Sequence, residues 1–309
     1  MKRSSLILGS RGSLLALRQA EIVRAKLTAR YPELHLLVKV IKTSGDRIAD
    51  RSLTDFGGKG LFIKELEEAL LAREIDLAVH SLKDMTAEIP AGLHLAAVLE
   101  REDPRDALIT RTGRGTLLTL PEGAILGTSS LRRAAQVRAQ RPDLQIRPLR
   151  GNVDTRLRKL DDGHYDAIIL ATAGLVRLGL EERIVERIPT EVMIPAIGQG
   201  VIAVETRADD DEVNALLAPL DHPQTRSAIT AERAVLHRLG GGCHVPIAAH
   251  ADVLPHDPSH LILRGMIASP DGARLLSAHV VGPLTEAAAL GRHLAEQLLA
   301  QGALALLHL

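Results

Sequence analysis

Short apolar runs of strand length recur along this chain, each followed by a turn and then by helical spacing, and that alternation leaves few folds open. Residues 4–9, 34–41, 76–81 and 94–99 read as strands. A helix starts after the N-cap candidate Ser13, with Ala16, Ala20, Val23 and Leu27 on one face, and another lies near 61–72. Beyond a charged, proline-marked break at 100–104 the pattern resumes, with strands at 124–127, 145–149 and 166–171 and helices from Ser130 and Asn152. Strands alternating with helices predict βαβ units and mostly parallel sheets, the α/β class. A second irregular stretch carries Pro189, Pro195, Gly198 and Gly200, and 201–206 reads as a strand returning to a sheet. Two crossings between two lobes predict a hinged cleft, with hinges at 100–105 and 190–200. From about 222 the character changes: a helix over 224–239 ends in glycines, 245–253 and 260–268 read as antiparallel strands, and Ala287, Leu290, Leu294 and Leu298 stripe a final helix. The expected parts are lobe 1 (1–100 with 201–218), lobe 2 (106–194) and a small α+β C-terminal domain (222–309).

Composition excludes several function classes. The only aromatic residues are Tyr31, Phe56, Phe62 and Tyr165, so bases would find little to stack on. Lys+Arg and Asp+Glu both total 38, which argues against a nucleic-acid partner. Only eight of those cations are lysines. Arginine grips carboxylates bidentately and keeps its charge in a cleft, although base composition of the gene also raises arginine. Cys243 is the only cysteine, so no intrachain disulfide or multi-thiolate metal site can form, and the histidines show no ligand pattern. No metal is expected. The apolar run before Gly9 is too short for a signal peptide and nothing approaches a membrane span, so a cytoplasmic protein without a membrane partner is expected.

Polar motifs cluster where strands run into helices, the place where ligands bind in open α/β sheets. Arg11 and Ser13 follow the first strand, and Lys83 and Asp84 follow the strand at 76–81. Thr128, Ser129 and Ser130 precede Arg132 and Arg133 at a helix start. Two cations there oppose the helix dipole by about 0.3–1 kcal/mol each when exposed, a term that a bound anion would reverse. Arg150 and Arg156 flank another such turn, and Arg177 follows the next strand. Each is also compatible with a capped helix and solvated charge, but the repetition favours an anion-binding cleft. Cys243 follows glycines; a lone cysteine is either a small buried hydrophobe or an exposed nucleophile. The Gly57-Gly58-Lys59-Gly60 loop lacks the elements of a nucleotide-binding P-loop.

Five ordered motifs together resemble one family. Gly-Gly-Lys-Gly-Leu-Phe (57–62), Asp-x-Ala-Val-His-Ser-x-Lys-Asp (76–84), Gly-Thr-Ser-Ser-Leu-Arg-Arg (127–133), Leu-Arg-Gly-Asn-Val-x-Thr-Arg (149–156) and Gly-Gly-Cys-x-Val-Pro (241–246) are similar to porphobilinogen deaminases. Arg-Glu-Asp-Pro-Arg-Asp (101–106), Pro-Ala-Ile-Gly-Gln-Gly (195–200) and Thr-Ala-Glu-Arg (230–233) extend the match. The resemblance implies two type II periplasmic-binding-protein-like lobes plus a third domain. It implies a transferase of tetrapyrrole biosynthesis that condenses four porphobilinogen molecules on a dipyrromethane cofactor bound to Cys243, then releases hydroxymethylbilane. Asp84 would be the catalytic carboxylate. Arg11, Ser13, Lys83, Thr128, Ser129, Ser130, Arg132, Arg133, Arg150, Arg156 and Arg177 would bind acetate and propionate groups, with Lys59, Phe62 and Gln199 lining the cleft. A monomer is expected. The rival reading, a non-catalytic two-lobed binder of a small dicarboxylate, gives Cys243 no role.

Overall fold

A computed structural model describes residues 3–43, 63–240 and 245–307. The chain divides into two compact units, Met1–Glu102 with Val201–Arg226, and Asp103–Gly200 with Ser227–Leu309. It therefore passes between them three times, the third within a helix.

In the first unit, β1 (Ser5–Ser10), α1 (Leu14–Arg30), β2 (His35–Val40), α2 (Lys64–Leu71), β3 (Leu77–Ser81) and β4 (Leu93–Val98) follow the expected alternation closely. Ser13 caps α1, its Oγ accepting from Ala16 N at 3.2 Å. Ala20, Val23 and Leu27 bury the inner face of that helix against the sheet, whereas Ala16 is only partly covered. The sheet order is β2-β1-β3-β10-β4, with β10 the strand Ile202–Arg207 that returns after the chain has visited the second unit.

The second unit repeats this plan. It contains β5 (Asp106–Thr110), β6 (Ile125–Gly127), α3 (Leu131–Gln140), β7 (Gln145–Arg147), α4 (Val153–Asp161), β8 (Ala167–Ala171), α5 (Thr172–Arg177) and β9 (Glu186–Ile188), in sheet order β7-β6-β8-β5-β9. The sheets are less parallel than the sequence predicts. β1 pairs parallel with β2 and β3, and β6 with β7 and β8, but β10 is antiparallel to both neighbours and so is β5. The reason is connectivity: a βαβ crossover enforces parallel pairing, while a strand that arrives from elsewhere is under no such constraint. At the turn after β7, Gly151 has φ of 112°, and a Cβ there would lie 2.8 Å from the Thr155 side chain, so a side chain is excluded twice over.

The α6 helix (Asp211–Leu217) closes the first unit, and α7 (Pro223–Leu239) carries the chain into the second. There β11 (Ile247–Leu254), β12 (Asp257–Ala268) and β13 (Leu275–Pro283) form an antiparallel sheet covered by α8 (Ala287–Ala300). The predicted stripe Ala287, Leu290, Leu294 and Leu298 is buried, joining Ala231 and Val235 of α7 in one apolar core. A Cβ on Gly291 would stand 2.2 Å from the Ala231 carbonyl, so glycine sets the close approach of α8 to α7. This sheet also packs on α3, through Ala135, Ala248, Met266 and Ala268.

Candidate functional site

In the first unit the carboxyl ends of β1 and β3 lie side by side, because these strands pair parallel. Arg11 and Ser13 leave β1, and Ser81 and Asp84 leave β3, and all four line one recess with Gln19 and His80. Asp84 closes a 3-10 turn (Leu82–Asp84) pinned underneath by buried Leu82. Gln19, reaching up from α1, donates to Ser81 Oγ at 2.9 Å. Lys83 is exposed beside Asp84. The recess thus combines a carboxylate, a guanidinium, two hydroxyls and an imidazole.

The other strand-end groups lie in the second unit, where the turns after β6 and β7 are tied together. Thr128, Ser129 and Ser130 sit between β6 and α3; Thr128 Oγ1 accepts from Ser130 N at 3.2 Å, and Ser130 Oγ caps α3. Ser129 Oγ accepts from Leu149 N at 3.0 Å, which ties the turn after β6 to the one after β7. Arg156 Nε donates to the Gly151 carbonyl at 2.7 Å, and Lys159 Nζ to that of Arg150 at 3.3 Å. Arg177 donates to the Gly200 carbonyl at 2.6 Å. Arg150 and Arg156 thus stand half-buried around the turn after β7, and half-buried Arg177 ends the α5 helix that follows β8.

Arg132 and Arg133 are not frayed, hydrated arginines. Both are 6% exposed and both grip Asp106 at the start of β5. Arg132 Nη1 lies 2.7 Å from Asp106 Oδ2 and also donates to the Ile194 carbonyl at 2.7 Å, while Arg133 Nε donates to Oδ1 at 2.9 Å. Gln199 Nε2 adds a bond to Oδ1 at 3.0 Å and another to the Pro104 carbonyl. Burial alone would push the Asp106 carboxyl up, but the Arg132 and Arg133 charges outweigh it and hold the group well below the usual carboxylate range. Burial draws Arg133 down from an arginine's ordinary value, opposed by Asp106 and reinforced by Arg132. Among the described residues, two guanidiniums share one carboxylate, an excess of one positive charge in a buried place. Gln199 Oε1, in the same cluster, is buried with no hydrogen-bond partner among the described residues.

Sequence reasoning missed Asp106, whose only signal was its place at the end of the Arg-Glu-Asp-Pro-Arg-Asp motif. It also missed Glu232, fully buried, which accepts from Gly198 N at 2.7 Å and from Ala251 N at 2.9 Å. That carboxylate ties α7 to the 195–200 segment and to β11. Lys59, Phe62 and Cys243 lie outside the described residues. Among those described, no cluster of His, Asp and Glu could hold a metal, and no helix is long and apolar enough to cross a membrane.

Comparison with known proteins matches residues 6–215 to the family model "Porphobilinogen deaminase, dipyromethane cofactor binding domain" and 227–300 to "Porphobilinogen deaminase, C-terminal domain". The porphobilinogen deaminase of Roseiflexus castenholzii is 55% identical over 305 residues, covering 99% of both chains. That of Laribacter hongkongensis is 51% identical over 298 residues, covering 96% of both. Among solved structures, a substrate binding domain of a putative amino acid ABC transporter from Streptococcus pneumoniae aligns at 12% identity over 69% of this chain and 90% of that one. Its TM-score is 0.43, too low to establish a shared fold. With near-full-length identity above one half and both domain models matched in order, the chain belongs to the porphobilinogen deaminase family.

Proposed function

We propose that the chain is a hydroxymethylbilane synthase. It would condense four porphobilinogen molecules, with loss of ammonia, on a dipyrromethane cofactor tethered through Cys243, then release the linear tetrapyrrole by hydrolysis. The observation that carries this reading is the buried charge excess at Arg132, Arg133 and Asp106. A buried cation without a matching anion costs several kcal/mol, so the cluster is built to accept a further negative charge. A dipyrromethane bearing acetate and propionate groups fits that donor set, with Arg132, Arg133, Arg150, Arg156, Arg177, Thr128, Ser129 and Ser130 as the groups that would hold its carboxylates. When bound, the cofactor supplies the tether and the free pyrrole α-carbon on which the chain grows.

The residues of the chain supply the rest. Arg11, Ser13 and Lys83 would hold the carboxylates of the incoming porphobilinogen in the first-unit recess. Loss of ammonia from its aminomethyl group leaves a cationic, azafulvene-like ring, and Asp84 would stabilise that charge and receive the pyrrole N–H. Every added unit brings two carboxylates, which is why arginine recurs at successive strand ends. Lys59 and Phe62 would line the path of the growing chain, while Gln199, expected beside them, is buried and would act by holding Asp106. Three domains with the boundaries expected from sequence, and a monomeric cytoplasmic protein, belong to the same proposal.

Purified protein incubated with porphobilinogen should release four ammonia molecules for each tetrapyrrole formed. Binding of porphobilinogen without ammonia release would instead support a two-lobed binding protein.

A further inference from the structure

An ionisable side chain that lines the first-unit recess, and the buried carboxylate it touches, have no part in the chemistry described so far. His80 of β3 and Glu205 of β10 sit on adjacent antiparallel strands, with side chains 4% and 0% exposed, and His80 Nε2 lies 3.1 Å from Glu205 Oε2. Their carboxylate–imidazole contact spans 125 positions of sequence. Glu205 Oε1 is buried with no hydrogen-bond partner among the described residues, so this carboxylate depends heavily on the imidazole. Glu67 of α2 approaches the same pair, and burial together with the Glu205 charge pushes its carboxyl up. An apolar pair would fill this part of the sheet at no electrostatic cost, as Val79 and Val204 do one residue away.

The orientation of the imidazole suggests what the pair does. His80 lines the recess together with Asp84 and Arg11. With Nε2 turned to Glu205, Nδ1 is the ring nitrogen that this carboxylate leaves unengaged. A carboxylate at one imidazole nitrogen fixes the tautomer and leaves a lone pair on the other. Resting on the proposed condensation, we propose that His80 is the proton relay of this recess and Glu205 its positioning residue. In each condensation a C–N bond breaks with its electron pair leaving on nitrogen, a C–C bond forms, and the ring carbon that gains this bond loses a proton. His80 Nδ1 takes that proton, the imidazolium being balanced by Glu205, and gives it to the ammonia. One protonated aminomethyl group and one ring C–H thus become one methylene bridge and one ammonium ion.

His80→Gln keeps a donor for Glu205 but cannot relay a proton. It should lower kcat by about 100-fold or more while leaving KM for porphobilinogen near the wild-type value. Glu205→Gln should lower kcat by about 10-fold, again with KM held. Independently of turnover, ¹⁵N NMR of the wild-type protein labelled at histidine should show neutral His80 with its proton on Nε2. Wild-type kcat in His80→Gln, or a neutral His80 with its proton on Nδ1, would overturn the relay. A wild-type chain that releases no ammonia would instead remove the function on which the relay rests.

Discussion

Replacing Asp106 by asparagine removes the one carboxylate among the described residues that faces Arg132 and Arg133, while leaving the shape of the cluster almost unchanged. The side chain is fully buried, and its two oxygens receive both guanidiniums and the Gln199 amide. Taking one partner from a buried ion pair costs about 3–5 kcal/mol. Here two cations lose the same anion, so Asp106→Asn should fall at the upper end, a large share of the roughly 5–15 kcal/mol that stabilises a domain. Arg132→Met should cost about 1–3 kcal/mol less, because it leaves Arg133 and Asp106 as a balanced pair. The pH dependence follows from the depressed Asp106 carboxyl. Its contribution is fully present above the ordinary carboxylate range, near pH 4, and is lost as pH falls towards its folded value. Urea unfolding between pH 3 and 7 reads both effects. Wild-type stability should decline below about pH 4, and Asp106→Asn should be weaker at pH 7 with a shallower acid decline. If the asparagine protein were as stable as wild type at pH 7, or less harmed than Arg132→Met, the charge-excess reasoning would be wrong.

Other expectations follow from single sites. Glu232→Gln sets an amide N–H against one of the two backbone donors now held by the carboxylate, and should cost about 2–3 kcal/mol in the same urea assay. Gly151→Ala meets both a left-handed φ and the Thr155 side chain, and should cost about 1–3 kcal/mol, again by urea unfolding. Asp84→Asn should keep the wild-type circular dichroism spectrum and melting temperature while losing most ammonia release, since Asp84 lines the recess without supporting the core.

What the sequence discloses here is local, and what it hides depends on pairing at a distance. Ser13 as a cap, the α8 stripe and the polar turns after β1, β3, β6 and β7 could all be read from spacing within a few residues. The β5 strand was hidden because Asp106 ends a charged, proline-containing run that reads as a break, yet all five of its residues are buried. Its antiparallel pairing, like that of β10, is settled by where the chain returns from, which no window of sequence contains. β13 escaped because apolar Leu275 and Val281 stand on its open face, which blurs the apolar–polar alternation that marks a half-buried strand. At the site, the arginines were legible as a repeated residue type at strand ends. Their partner was not, since Asp106 stands 26 positions from Arg132 and no local pattern links the two.

The most direct measurement of the central claim is the intact mass of the purified protein, before and after brief exposure to porphobilinogen. The account predicts a chain heavier than its sequence by one two-pyrrole unit, a ladder of further single-pyrrole additions on exposure, and neither in Cys243→Ser. A bare chain mass in a protein that still makes tetrapyrrole, or the same excess retained by Cys243→Ser, would contradict a sulfur-tethered growing chain.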